Sequence, residues 1–324
     1  MSDPAGYARG LHRFAVTVAA ATGALLFVGG LVTSTGSGLA VPDWPLSFGQ
    51  VFPQMRGGVL FEHGHRMVAS AVGLLTVVLA AWLWRAEPRR WVRRLGVGAL
   101  LAVLLQGALG GLTVLLKLPV AVSVAHAGVA EIFFCLTSTI ALVTSRGWLI
   151  APEPARDRER PSLRSLSLVT VVVIYLQVLV GALVRHSGAG LAIPDFPLSF
   201  GRLVPPLSSE LVLYQFAHRL GATLVSVCVV WTASRVLRRH GHRSELTRPA
   251  LLLLVLLAWQ IFLGAAVIWS RKAVVPTTTH LLSGALLLVT ALVLALRARR
   301  LYVAPSVAPA RAAAAAPSPS ASPA

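Results

Sequence analysis

Residues 36–49 read GSGLAVPDWPLSFG, and residues 188–201 read GAGLAIPDFPLSFG. Eleven of these 14 positions are identical, at an offset of 152 residues. Each copy is followed by a His-Arg pair, His65-Arg66 and His218-Arg219, and much later by a further histidine, His126 and His280. Over that distance the offset drifts only from 152 to 154. Self-similarity at a fixed period marks an internal repeat. The chain therefore reads as two homologous halves, and the repeat singles out which histidines matter.

The sequence around the repeated motif is apolar. Of 324 residues, 56% are hydrophobic and only 12% charged, against about 25% charged in a soluble domain. Apolar runs of about 20 residues read as membrane-spanning helices. Eight such runs occur, at 13–33, 66–84, 95–116, 121–145, 166–184, 217–236, 250–268 and 278–296, four in each half. An even number of spans returns the chain to its starting side. The halves are thus expected to lie parallel, related by a pseudo-twofold along the membrane normal. The expected fold is an all-α integral membrane protein of eight transmembrane helices, arranged as two parallel-repeat four-helix bundles. Residues 1–145 would form the N-terminal half, 146–165 a cytoplasmic linker and 166–302 the C-terminal half. Residues 303–324, almost all Ala, Pro and Ser, read as a disordered tail.

The net charge of +18 invites a nucleic-acid reading, but its distribution argues otherwise. Of the 29 Lys and Arg, 21 fall in alternate gaps between spans or near the termini, as in the cluster Arg85, Arg89, Arg90, Arg93 and Arg94. That is the positive-inside pattern. Both termini are expected in the cytoplasm, and the repeated loops on the outer face of a cell membrane. The excess charge then meets anionic lipid, with no nucleic-acid partner. The first run is long enough to span and lacks a convincing cleavage site, so it reads as a retained helix. Cys135 and Cys228 fall in different elements of the two halves and read as free thiols.

Nine histidines are present. His12, His240 and His242 sit among arginines and read as surface residues. His63 faces Phe216 in the other half, and His186 faces Ser34, so neither is matched. The pairs His65/His218 and His126/His280 remain. All four are expected to open even-numbered spans at the outer side, where ionisable groups are costly and usually functional. Two imidazoles on facing helices suit haem iron, which takes two axial ligands. Zinc asks for four ligands, or three and a water. A haem in each half is the better reading, with no other metal. The second and fourth spans, with their counterparts the sixth and eighth, are expected to form the pockets. Gly29, Gly30, Gly107, Gly110, Gly111, Gly181 and Gly264 are expected to permit close helix approach. Arg66, Arg185 and Arg219 are candidate partners for haem propionates, or anchors of helix ends.

The halves also differ. Glu62 stands three residues before His65, whereas Gln215 stands three before His218. On a helix that spacing puts both side chains on one face. A carboxylate there offers proton chemistry; its plainer reading is a favourable charge at a helix start. Gln106 and Gln260 are matched mid-span amides that need partners. The loop residues Pro42, Asp43, Trp44 and Pro45, with their copies Pro194, Asp195, Phe196 and Pro197, read as a lid over each pocket mouth. The alternative is an interfacial aromatic anchor.

With these residues in hand, the chain resembles the haem A synthase family across roughly residues 12–296. The resemblance rests on the eight spans in two halves, SGLAVPDWPLSFG and its second copy, the E-x-x-H-R of Glu62 to Arg66, and the late histidines. It implies oxidation of a ring methyl of haem O to a formyl group, giving haem A for terminal oxidases. It implies a haem b cofactor on His218 and His280, a substrate haem flanked by His65 and His126, and Glu62 as catalytic acid or base. Implied partners are a haem O synthase prenyltransferase, an electron acceptor and the bilayer; a homo-oligomer is compatible with the residues but not specified by them. Many members carry a cysteine pair where Val41 and Ser47 stand here. No thiol relay or disulfide is available in this loop. Two other readings stay open: a dihaem b electron carrier, which needs permanent haem in both pockets, and a transporter on parallel repeats, which needs none.

Overall fold

A computed structural model describes residues 7–150, 154–157 and 159–303. The expected tail therefore lies, from residue 304 on, outside the described residues. Val303 is described, and pairs with Arg156 in a two-residue parallel ladder between β1 (Ala155–Arg156) and β2 (Tyr302–Val303).

Eight long helices carry the fold: α1 (Arg9–Ser34), α2 (Gly58–Ala86), α3 (Arg90–Leu115), α4 (Val120–Val143), α6 (Leu163–His186), α7 (Glu210–Arg239), α8 (Ser244–Trp269) and α9 (Val274–Leu301). All eight are long and apolar enough to cross a membrane, and the chain is a multi-pass integral membrane protein. A single-turn helix, α5 (Arg146–Leu149), sits in the connection after α4. α2 and α7 begin eight and seven residues before the expected spans. Hydropathy sees only the apolar part of a helix, so it misses two extra turns of mixed composition.

α1, α2, α3 and α4 pack in a ring, each on the next and α4 back on α1. α6, α7, α8 and α9 close a second ring in the same way. The rings meet where α1 touches α9, α4 touches α6, and α4 touches α9. Each ring has its own core. One is built around Leu11, Val72, Leu79, Val92, Phe133 and Ile140, the other around Ile174, Val229, Leu253, Leu288 and Leu294. Much apolar side-chain surface faces outward, including Leu74, Leu101, Leu104 and Val255. Such a surface is stable in lipid and not in water.

The loops that follow α1 and α6 fold alike. Asp43 accepts hydrogen bonds from the amides of Phe48 (2.7 Å) and Gly49 (2.8 Å). Asp195 accepts from Phe200 (2.7 Å) and Gly201 (2.8 Å). Gly49 and Gly201 have φ of 70° and 71°, a conformation that glycine adopts without penalty. The amide donors of Gly49 and Phe48 hold the Asp43 carboxyl below the usual carboxylate range, and those of Gly201 and Phe200 do the same to Asp195. A lowered folded-state value means that the latch is whole above the ordinary aspartate range and is lost as pH falls through the lowered value. By nuclear magnetic resonance the Asp43 carboxyl carbon should titrate below free aspartate. Titration at or above it contradicts the latch.

Two expectations need correction. His240 is not on the surface: it is buried, and its Nδ1 shares a 2.7 Å hydrogen bond with the Tyr302 hydroxyl. The pockets are not shared between halves either. α2 packs on α1 and α3, and α7 on α6 and α8, so the second and sixth spans stand apart.

Candidate haem sites

His65 lies seven residues into α2 and His126 six into α4; His218 lies eight into α7 and His280 six into α9. At 1.5 Å per residue each imidazole is about 10 Å inside its helix, deeper than a helix mouth. One feature recurs at all four. A Cβ on Gly29 of α1 would come within 3.0 Å of His65 Cε1, and one on Gly110 of α3 within 3.2 Å of His126 Cε1. Gly181 of α6 and Gly264 of α8 bear the same relation to His218 (3.0 Å) and His280 (3.3 Å). Each ring thus lies in a groove that only glycine leaves open. These glycines seat imidazoles more than they bring helices together. Gly107 does neither: open space surrounds its Cβ position.

The His218 and His280 rings have centroids 6.5 Å apart and stand at 73° to each other. An imidazole centroid is about 1.1 Å from its ring nitrogen, and a metal–nitrogen bond is about 2 Å. Two imidazoles trans on one metal therefore have centroids about 6 Å apart. The residues fit a bis-histidine haem. The buried Nδ1 atoms of His65, His126 and His280 have no hydrogen-bond partner. Buried polar atoms are normally paired, so these sites are unfinished without a further group. Among the described residues no cluster of three or more His, Cys, Asp or Glu could hold a metal ion.

The matched glutamines find partners here. The amide nitrogen of Gln106 lies 3.4 Å from His126 Nε2, and that of Gln260 lies 3.4 Å from His280 Nε2.

Glu62 is in the helix, on the same face as His65, and is 4% exposed. One carboxylate oxygen accepts from the Val41 amide (2.8 Å), the other from Arg66 Nη2 (2.7 Å). Gln215 occupies the equivalent place, accepting from the Ile193 amide at 2.5 Å and donating to the Gly190 carbonyl at 3.1 Å. Both side chains therefore clamp the loop to the helix, and only one carries charge. His63, unmatched in the other half, is a second clamp: its Nδ1 and the Ser47 hydroxyl share a 2.8 Å hydrogen bond. Val41 and Ser47 are fully buried and held from α2 by Glu62 and His63.

The arginines divide. Arg66 donates to the carbonyls of Asp43 (2.8 Å), Leu46 (2.8 Å) and Val41 (3.4 Å) as well as to Glu62. Arg219 donates to Asp195 (2.7 Å), Leu198 (2.8 Å) and Ile193 (3.3 Å). Both guanidinium groups hold their loops through Nη1 and Nη2, which leaves Nε of each outside those bonds. Arg185 instead crosses between halves, donating from Nη2 to the Gly30 carbonyl (2.7 Å) and the Ser34 hydroxyl (2.9 Å) of α1.

The loop aromatics pack on the helices that carry two of the seating glycines, Trp44 on α3 and Phe196 on α8. A Cβ on Gly111 would come within 2.6 Å of the Trp44 indole, and Gly111 adjoins the glycine that faces His126. In the second half the smaller Phe196 replaces Trp44, and Ala265 replaces Gly111. Phe196 packs edge-on against Trp269 at 6.3 Å. Larger ring and smaller residue thus exchange together. Gly111→Ala alone should shift the Trp44 fluorescence and loosen the loop, and adding Trp44→Phe should restore it. Two additive, independent effects would contradict the pairing.

Comparing the halves polar residue by polar residue reveals two groups that the histidine pairing passed over. Gln177 of α6 faces Leu25 in the repeat, and Glu131 of α4 faces Ala285. Glu131 is 4% exposed, with one carboxyl oxygen buried and unpaired.

The fold is that of an eight-helix integral membrane protein whose two four-helix rings each carry one copy of the matched histidine pair. The chain belongs to the cytochrome oxidase assembly protein family (COX15-CtaA), whose model matches residues 12–293. Its relatives include the heme A synthase of Symbiobacterium thermophilum, 37% identical over 245 residues, covering 73% of this chain and 78% of that protein. That of Halalkalibacterium halodurans is 28% identical over 270 residues, covering 82% and 89%. That of Geobacillus kaustophilus is 30% identical over 262 residues, covering 78% and 81%.

Proposed function

We infer that the protein is a haem A synthase, an oxidoreductase that turns a ring methyl of haem O into a formyl group. The observation that carries the reading is one scaffold built twice with a carboxylate beside the matched histidine in one copy only: Glu62 against Gln215, each three residues before that histidine. Membership of the cytochrome oxidase assembly protein family and similarity to heme A synthases support the activity.

The N-terminal half, residues 1–145, takes haem O between His65 and His126. The C-terminal half, residues 166–302, holds haem b on His218 and His280, and residues 146–165 link the two. The ring-to-ring contacts, unchanged when the halves are exchanged, support a pseudo-twofold between them. Haem b, when bound, supplies a one-electron redox centre. The chain's own residues do the rest. His65 and His126 orient the substrate, and the Trp44 loop covers it. Glu62, hydrogen-bonded to the Val41 amide and Arg66, accepts protons released from the methyl or balances positive charge beside it. Two successive two-electron oxidations, each adding the oxygen of one water to the methyl carbon and releasing two protons and two electrons to the acceptor, leave a gem-diol, which loses water to the aldehyde. Arg185, whose Nη1 and Nε have no protein partner among the described residues, is the first candidate for a propionate.

The haem sites lie near the outer face of the cell membrane, with both termini in the cytoplasm. The substrate comes from a prenyltransferase that makes haem O, and the electrons go to an acceptor outside this chain. Purification from cells that make haem O, with the bound haems identified by pyridine haemochrome and mass, tests the assignment. Haem O or A together with haem b supports the synthase. Haem b alone indicates an electron carrier, and no haem a transporter.

A further inference from the structure

We propose that Gln177 is a positioning residue that makes the second pocket a permanent haem site, and that its absence from the first pocket leaves that site free to exchange. The inference rests on the proposed haem ligation by His218 and His280.

Gln177 is on α6, one turn from the glycine that seats the His218 ring. Its amide nitrogen donates to the His218 carbonyl at 2.7 Å and lies 2.9 Å from His218 Nδ1. It is thus fixed on both the backbone and the ring of one residue. Room for it comes from Gly221, where a Cβ would collide with Gln177 Oε1. In the first half both members of this pair are changed: Leu25 stands for Gln177 and Val68 for Gly221. The polar residue and the small residue that admits it occur together in one half and are lost together in the other. Accordingly, buried Nδ1 of His65 has no partner.

The consequence follows from the chemistry of imidazole. Gln177 occupies the Nδ1 side of His218 and leaves Nε2 for iron. Ligation through Nε2 puts the ring hydrogen on Nδ1. A small rotation of the terminal amide brings Oε1 onto Nδ1–H as acceptor while Nε2 stays on the His218 carbonyl, since the amide carries donor and acceptor side by side. A hydrogen-bonded Nδ1–H fixes the ring's orientation and raises its basicity. Loss of such a partner costs about tenfold to a hundredfold in metal affinity. A more basic ligand favours the oxidised iron and lowers the reduction potential. In the first pocket Leu25 offers no acceptor, so His65 is a weaker and less oriented ligand, suited to a substrate that must leave.

The test uses the full-length protein in detergent and reads haem retention during transfer to apomyoglobin, together with a potentiometric titration. Gln177→Leu should release haem b about tenfold to a hundredfold faster and raise its potential. Gln177→Glu, a stronger acceptor, should keep the haem and lower its potential. The reciprocal Leu25→Gln with Val68→Gly should slow haem loss from the first pocket. Opposite shifts in potential from two variants at one position would not arise from a packing role. Gln177→Leu with unchanged retention and potential overturns the inference, provided that His218→Ala loses the same haem. If His218→Ala keeps that haem, the ligand assignment beneath the inference falls instead.

Discussion

Glu62→Gln should yield a protein that folds, binds both haems and makes almost no haem A. The second half supplies the internal control. Gln215 occupies the same place and holds its loop through the Ile193 amide, so a glutamine at residue 62 can hold the Val41 amide as Glu62 does. Loss of the Arg66 ion pair should also be tolerated. Arg219 stays on its loop through backbone carbonyls with no acidic partner at the equivalent helix position. What the substitution removes is the carboxylate. General acid–base catalysis contributes about a hundredfold to ten-thousandfold, and product formation should fall by about a hundredfold or more. Haem A yield per bound haem O, measured by mass, is the readout. An undiminished yield would leave Glu62 as a loop clamp only.

The second large effect is expected away from any ligand. Gly181→Val places a branched side chain where a single Cβ already comes within 3.0 Å of His218 Cε1. The ring must move, and the groove offers nowhere to go. Overpacking costs about 1–3 kcal/mol, enough to weaken ligation about tenfold to a hundredfold. The variant should lose haem b while keeping all four histidines. Gly107→Val, on a helix surface with open space around it, should keep both haems. Equal loss from the two would mean that glycine matters for helix packing in general and not for seating the imidazole.

The eight spans were legible because a run of about 20 apolar residues has one stable home. The matched histidines were legible because a duplication repeats what it needs. What the chain does at its loops was not. Arg66 and Arg219 carry the charge that a propionate would want, but four carbonyl-rich turns claim it first. No pattern of residue types predicts which oxygens a folded loop turns inward. The same holds for His63, whose bond to Ser47 spans 16 residues. The missing cysteines are a related case. Val41 and Ser47 show no cross-link in sequence, yet α2 reaches over and pins both. Gln177 and Glu131 were within reach of sequence, as polar residues that the other half replaces with Leu25 and Ala285.

The central claim is a division of labour: one pocket for the substrate, one for the cofactor. The direct measurement is the identity of haems extracted from wild type, His65→Ala and His218→Ala, each purified from cells that make haem O. Wild type should hold haem b with haem O or A. His65→Ala should keep haem b and lose haem O and A, while His218→Ala should lose haem b. Loss of the same haem from both variants, or loss of haem b from His65→Ala alone, would contradict the account.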